Sequence, residues 1–179
     1  IMSICERIIV INEGKLIAEG SSEEIQNNSE VSRVYLGERT ITNVVSAWRR
    51  KSVLLFSMDS VTTGYGKAQV LKNVSLHVHE NEIVALVGAN GSGKTTTLRC
   101  ISGVIKPWDG QLTFKENDLS QFETYQVVAL GIAYCPEGRD VFANLTVEEN
   151  LKIGAYLIKD RAVFKSRLEY AYSLFPRLF

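Results

Sequence analysis

The chain has 179 residues, enough for one globular domain or slightly more, with 45% apolar and 22% charged residues. Its 20 Lys and Arg balance 20 Asp and Glu, so it lacks the basic excess that a broad nucleic-acid footprint needs. No apolar run reaches the roughly 18 residues that cross a bilayer, and IMSICERIIVINEG is not a basic leader with a small-residue cleavage site, so the expectation is a cytosolic chain without signal peptide or span.

Taken in chain order, RIIVIN (residues 7–12) and KLIAEG (residues 15–20) are short β-branched runs separated by Glu13-Gly14, which predicts a hairpin. In SSEEIQNN, Ser21 or Ser22 serves as N-cap and acids fill the next turn, so a helix starts there. RIIVINE imitates an apolar strand ending in acid, but Asn12 occupies the acidic position and the strand reads as structural. Residues 39–52 show no clear period and form the candidate linker. Within them WRRK, Trp48 to Lys51, is the one dense basic cluster, and so short a run reads as solvated linker.

From Val53 onward the pattern predicts strands over residues 53–58, 70–78 and 83–87, then a glycine turn and a helix over residues 94–102. Asp109-Gly110 marks a turn into QLTFK. A helix near residues 125–130 leads to a short strand, IAYC, and a further helix starts at TVEENL, with Thr146 as N-cap and Glu149 closing a capping box. Strands alternating with helices predict an α/β domain. His77 and His79 share a strand face. An HxH pair can hold metal, but with no third ligand evident an exposed face is the expected reading. Cys5, Cys100 and Cys135 form no CxxC pair and read as small buried residues of a reducing compartment.

The informative stretch is IVALVGANGSGKTTTLRCISG. Gly88 to Thr95 fits G-x-x-x-x-G-K-[ST] at every fixed position. A phosphate chain carries several negative charges and needs many donors at close range. Glycines let the backbone curl and aim consecutive N–H groups inward. The helix that follows adds unpaired N–H groups and the positive end of its dipole. Lys94 brings a compact cation to the outer phosphates, and Thr95 offers a hydroxyl to magnesium. A glycine-rich turn with an incidental lysine would leave the coincidence of these positions with an entering strand and a leaving helix unexplained. The loop does not choose the base. There is no N/T-K-x-D element for guanine, and the loop alone leaves a small-molecule kinase open.

Three stretches carry a family resemblance: TGYGKAQVLKNVSLHV, EIVALVGANGSGKTTTLRCISGVIKPWDGQLTF and VALGIAYCPEGRDVFANLTVEENLKIGAY. Residues 53–179 resemble the amino-terminal part of an ABC transporter ATP-binding subunit, in particular those of bacterial and archaeal branched-chain amino-acid importers. CERIIVINEGKLIAEGSSEEIQNNSEVSRVYLGE resembles the carboxyl-terminal end of such a subunit, the sister one. The chain therefore looks like the tail of one subunit (residues 1–38) joined through residues 39–52 to the head of another. An opening on Ile1 fits an incomplete reading frame.

The resemblance implies a P-loop NTPase domain of ABC type, incomplete before its signature and Walker B motifs, that uses ATP and Mg2+. It implies that Gly88, Asn90, Gly91, Ser92, Gly93, Lys94, Thr95 and Thr96 hold the phosphates, with Thr95 on the metal and Lys94 serving catalysis. Tyr65 in GYG matches the aromatic that stacks on adenine, and a ring face suits that role. Without the resemblance it reads as a tyrosine in a turn. Glu137 in CPEGR stands where most of the superfamily has glutamine. It adds charge near the metal and the attacking water, in a loop that couples to the permease; the plainer reading is a solvated turn after Pro136. The LSGGQ-type signature, the Walker B acids and the switch histidine are not found, and LSQFE at Leu119 is not the signature.

The implied partners are a second ATP-binding subunit and transmembrane permease subunits, at the inner face of the plasma membrane. The chain is expected to bind Mg-ATP but to be deficient in hydrolysis. Its interrupted parallel sheet is expected to leave an open edge, on which the amino-terminal hairpin could dock as in a circular permutation. Two other classes stay open. A P-loop kinase would need lid arginines, for which Arg139 and Arg161 are the loose candidates. A non-catalytic fragment would occupy the permease through the loop near Glu137 and the TVEENL helix.

Overall fold

A computed structural model describes residues 5–36, 53–138 and 140–178. The candidate linker 39–52, its WRRK cluster and Arg139 lie outside the described residues. The chain divides into two compact units, Ile1–Tyr134 and Cys135–Phe179.

The first unit opens with β1 (Arg7–Asn12) and β2 (Lys15–Gly20), an antiparallel hairpin with the expected bounds. Glu13 and Gly14 take φ of +47° and +77°, which gives a two-residue turn matching the right-handed twist of the strands. Ser21 then caps α1 (Ser22–Gln26) in a full capping box with Glu24, and α2 (Ser29–Leu36) follows. β3 (Leu54–Tyr65) and β4 (Ala68–His79) form a second hairpin around Gly66-Lys67. Next come β5 (Val84–Val87), α3 (Lys94–Ile101), β6 (Asp109–Phe114), β7 (Asn117–Asp118), a 3-10 turn and α4 (Thr124–Leu130).

The strands make two sheets, ordered β2-β1-β5 and β4-β3-β6-β7. The α/β class holds, but β1 against β5 is the parallel pair and the four-stranded sheet is antiparallel throughout. β1 explains the joint. Ile9 and Ile11 face the main core with Met58, Val61, Leu71, Leu112, Cys100 and Val127. Ile8 and Val10 face the other way, onto Ala18 and Ile25. A strand buried on both faces needs a continuous apolar run, and RIIVIN is one. The hairpin thus docks on the strand that feeds the glycine loop, in register Arg7↔Val84 to Val10↔Val87.

Arg7 locks the far end of this pairing. Its Nε donates to Glu82 Oε1 at 2.7 Å, and its remaining nitrogens donate to Glu19 and to the His77 carbonyl. Burial pushes the Glu82 carboxyl up. The Arg7 hydrogen bond, the His79 amide and the Arg7 charge outweigh it and hold Glu82 below the ordinary carboxylate value. His77 and His79 stack edge to face, with ring centroids 5.1 Å apart. His77 Nε2 lies 3.5 Å from Arg7, and His79 Nδ1 lies 3.4 Å from Glu82.

Two expectations change. IAYC forms no strand: residues 132–135 alternate in burial but gain no ladder partner among the described residues, and a strand exists only by pairing. Of the cysteines, Cys100 is buried, Cys5 half-buried and Cys135 exposed. Burial pushes the Cys100 thiol up to about 11, so it stays protonated at neutral pH.

The second unit holds α5 (Val147–Gly154), α6 (Arg161–Leu174) and a terminal 3-10 turn. Thr146 and Glu149 form the expected capping box, and Asp160 caps α6 by accepting from Ala162 and Val163. None of its described residues is buried.

Candidate functional site

β5 carries the chain to Gly88, and the loop to Gly93 delivers it into α3. Gly91 and Gly93 take φ of +79° and +111°. A Cβ at Gly91 would meet open space, so glycine is needed there for its dihedral alone. At Gly88 the reason is space, since a Cβ would overlap the Ile11 carbonyl oxygen and Ser92 Oγ.

Gly93 caps α3 without a side chain, and the first intrahelical bond runs from Thr97 N–H to Gly93 O at 2.8 Å. The N–H groups of Lys94, Thr95 and Thr96 therefore have no acceptor within the helix, and the helix dipole adds its positive end. Lys94 Nζ spans the loop and donates to Gly88 O and Ala89 O, both at 2.8 Å. Ser92 Oγ is buried with no hydrogen-bond partner among the described residues. Such an orphan costs about 1–3 kcal/mol, and a phosphate oxygen would satisfy it. Donors, a lysine and an orphaned hydroxyl make a donor set that fits a polyphosphate.

Thr95 is exposed on the first turn and open to a metal ion, whereas Thr96 is buried. Among the described residues no group of three or more His, Cys, Asp or Glu could hold a metal. A magnesium ion here would be held by the Thr95 hydroxyl and would supply positive charge beside the phosphates.

Tyr65 ends β3 and reaches the same helix. Its hydroxyl lies 3.4 Å from Thr96 Oγ1 and accepts from Arg99 Nη1 at 3.2 Å. The Thr96 bond first, then Arg99, hold the phenol below the usual tyrosine value against the opposing effect of burial. Tyr65 is 44% exposed, which leaves area for a base. Tyr65 and the loop residues Gly88, Asn90, Gly91, Ser92, Gly93, Lys94, Thr95 and Thr96 thus meet on one unit. Glu137 belongs to the second unit and is exposed there.

One contributor escaped the sequence reading. The Glu13-Gly14 turn touches the loop, with Gly14 N–H donating to Ser92 O at 2.9 Å. Glu13-Gly14 signals a turn, but nothing local names its partner.

Residues 71–176 match the family model described as ABC transporter, and residues 15–40 match the one described as branched-chain amino acid ATP-binding cassette transporter. A high-affinity branched-chain amino acid transport ATP-binding protein of Pseudomonas aeruginosa, BraG, is 40% identical over 124 residues, covering 69% of this chain and 53% of that protein. A probable branched-chain amino acid transport ATP-binding protein of Archaeoglobus fulgidus, LivF, is 41% identical over 118 residues, covering 66% and 50%. The solved ATP-binding subunit of an ABC transporter superposes with a TM-score of 0.59 at 31% identity, over 69% of this chain and 51% of that one. A nucleotide-free ATP-binding cassette from an ABC transporter gives 0.52 at 27% identity, over 57% and 40%. The chain spans about half the length of the curated relatives it matches.

Proposed function

Because this chain belongs to the ABC transporter family, we propose that it is the ATP-binding component of an importer, with branched-chain amino acids as the cargo class. The observation that carries the reading is the loop from Gly88 to Thr96, where glycine dihedrals, helix N–H groups, Lys94 and the orphaned Ser92 hydroxyl converge. The relatives' own roles support the cargo class.

In this reading the amides from Gly91 to Thr96 cradle the phosphates, and Lys94 leaves the Gly88 and Ala89 carbonyls for the outer phosphate oxygens. Thr95 holds magnesium, which when bound neutralises and orients those oxygens. Thr96 stays with Tyr65, whose ring face takes adenine. Glu137, exposed in the second unit, sits in the segment that meets the permease. Residues 1–38 are the tail-type segment of a sister subunit, a reading supported by the family match over residues 15–40.

A second ATP-binding subunit faces the site and completes it, and permease subunits anchor the assembly at the inner face of the membrane. No helix among the described residues is long and apolar enough to cross a membrane. These 179 residues contain no LSGGQ-type stretch, so the chain alone binds Mg-ATP and turns it over slowly.

The test is Mg-ATP binding and phosphate release by the purified chain beside Lys94→Ala. Binding should weaken by about tenfold or more in the variant, as expected for loss of a hydrogen bond to a charged group, with phosphate release near background in both. Equal affinity in the two proteins would sink the phosphate-loop reading. Transfer to a small-molecule acceptor would replace it with the kinase.

A further inference from the structure

The docked hairpin meets the phosphate loop at three of the loop's residues. The Gly14 N–H donates to the Ser92 carbonyl at 2.9 Å, and the Gly14 carbonyl accepts from Lys72 N–H of β4 at 2.8 Å. One residue therefore bridges the loop to the second sheet, through the peptide groups on either side of its Cα. Gly93 packs on the same turn. A Cβ placed there would lie 2.8 Å from Leu71 Cδ2, 3.4 Å from Ile11 Cδ1 and 3.6 Å from Gly14 Cα. Gly88 in turn lies hard against the Ile11 carbonyl. At Gly14 itself a Cβ would overlap the Val70 carbonyl oxygen, and φ is +77°, so both space and dihedral demand glycine. At its other end the hairpin is held on the segment that enters β5, where Arg7 of β1 donates to both carboxylate oxygens of Glu82.

We infer that this turn is a positioning element for the phosphate loop, with Gly14 as its positioning residue. A segment far ahead of the loop in the chain sets where the Ser92 and Gly93 backbone stands, and so where the phosphate-facing N–H groups stand. The hairpin and the loop act in cis as one site. The inference rests on the proposed nucleotide binding for its affinity readout, but its structural readout needs no nucleotide.

The experiment compares the whole chain with Gly14→Ala, Ile11→Val and Glu19→Gln. It measures amide hydrogen exchange without nucleotide, and affinity for Mg-ATP against AMP, which lacks the two outer phosphates. In Gly14→Ala, exchange over residues 91–95 should rise, the Lys72 N–H that donates to Gly14 should exchange faster, and β3 should stay protected. Mg-ATP affinity should fall by about tenfold or more, as a misplaced donor set does, with AMP affinity nearly unchanged. Ile11→Val, which removes the methyl facing Gly93, should move both readouts the same way by less. Glu19→Gln, at the far end of the hairpin, should move neither.

Unchanged loop exchange in Gly14→Ala would overturn the inference, as would an equal fall in Mg-ATP and AMP affinity, which marks a lost folded fraction. If Gly14→Ala loses the protection of β3 as well, Ile11→Val decides. A lowered ratio of Mg-ATP to AMP affinity supports the inference and an unaltered ratio overturns it. If the unmodified chain binds no Mg-ATP, the proposed function fails, and exchange over residues 91–95 still decides this point.

Discussion

The two compact units use opposite means to hold their shape. In the first, strands distant in sequence bury Ile8, Ile9, Val10, Ile11, Met58, Val61 and Leu71 almost completely. In the second, no described residue is buried, and Phe142, Tyr170 and Phe175 stand 56%, 58% and 60% exposed. Yet the helices of the second unit are capped as fully as α1 of the first. Thr146 and Glu149 close a capping box, Asp160 accepts from two amides, and Asn150 donates to the carbonyls of Phe142, Leu145 and Thr146. Capping satisfies helix ends but contributes only about 1 kcal/mol each, whereas a buried Leu or Ile contributes about 1.5–3 kcal/mol. Local signals can therefore draw a helix clearly while leaving its apolar face open to water.

The largest expected effect tests that contrast directly. Val10→Asp places an unpaired charge in a strand buried on both faces and should cost on the order of 3–5 kcal/mol. Phe175→Asp, in the second unit, should cost no more than about 0.5 kcal/mol. Thermal unfolding followed by circular dichroism reads both, and similar shifts would mean that the second unit has a core after all.

Acid should come next. Glu82 has its carboxyl held below the ordinary glutamate value of 4.5. Its contribution is complete above that value and is lost as pH falls through the lowered one. Exchange protection of β1 and β5 should therefore decline on acidification below pH 4.5, and Glu82→Gln should flatten that decline. A decline of the same size in Glu82→Gln would assign it to other groups.

A local effect is expected at the cap of α5. Thr146→Ala should cost about 1 kcal/mol, felt as faster exchange over residues 147–150 with β3 and β4 unchanged. Slowed or unchanged exchange there would show that α5 does not depend on its cap.

What could be read ahead of the fold follows from the range of each interaction. The β1–β2 turn, the α3 start at Lys94 and the Thr146 box depend on residues within four positions of one another, and all three appear as expected. β3 and β4 were legible only in part. Ser60 and Asn73, at φ of +52° and +58°, break the register, and runs such as Val61 to Tyr65 hide the alternation that marks a strand. IAYC carries strand residues but finds no ladder partner.

The amino-acid order alone established the α/β class, the glycine loop with Lys94 and Thr95, and the family likeness of both segments. Each is a matter of residue type at fixed spacing. Where the hairpin goes was left to packing. RIIVIN would suit any doubly buried position, and it became the strand beside the phosphate loop because the Ile9 and Ile11 face, the Ile8 and Val10 face and the Arg7–Glu82 pair are all satisfied there. Gly14 meets Ser92, and Tyr65 meets Thr96 and Arg99, through that packing. Contacts between residues so far apart depend on the tertiary burial that draws them together, which no local spacing encodes.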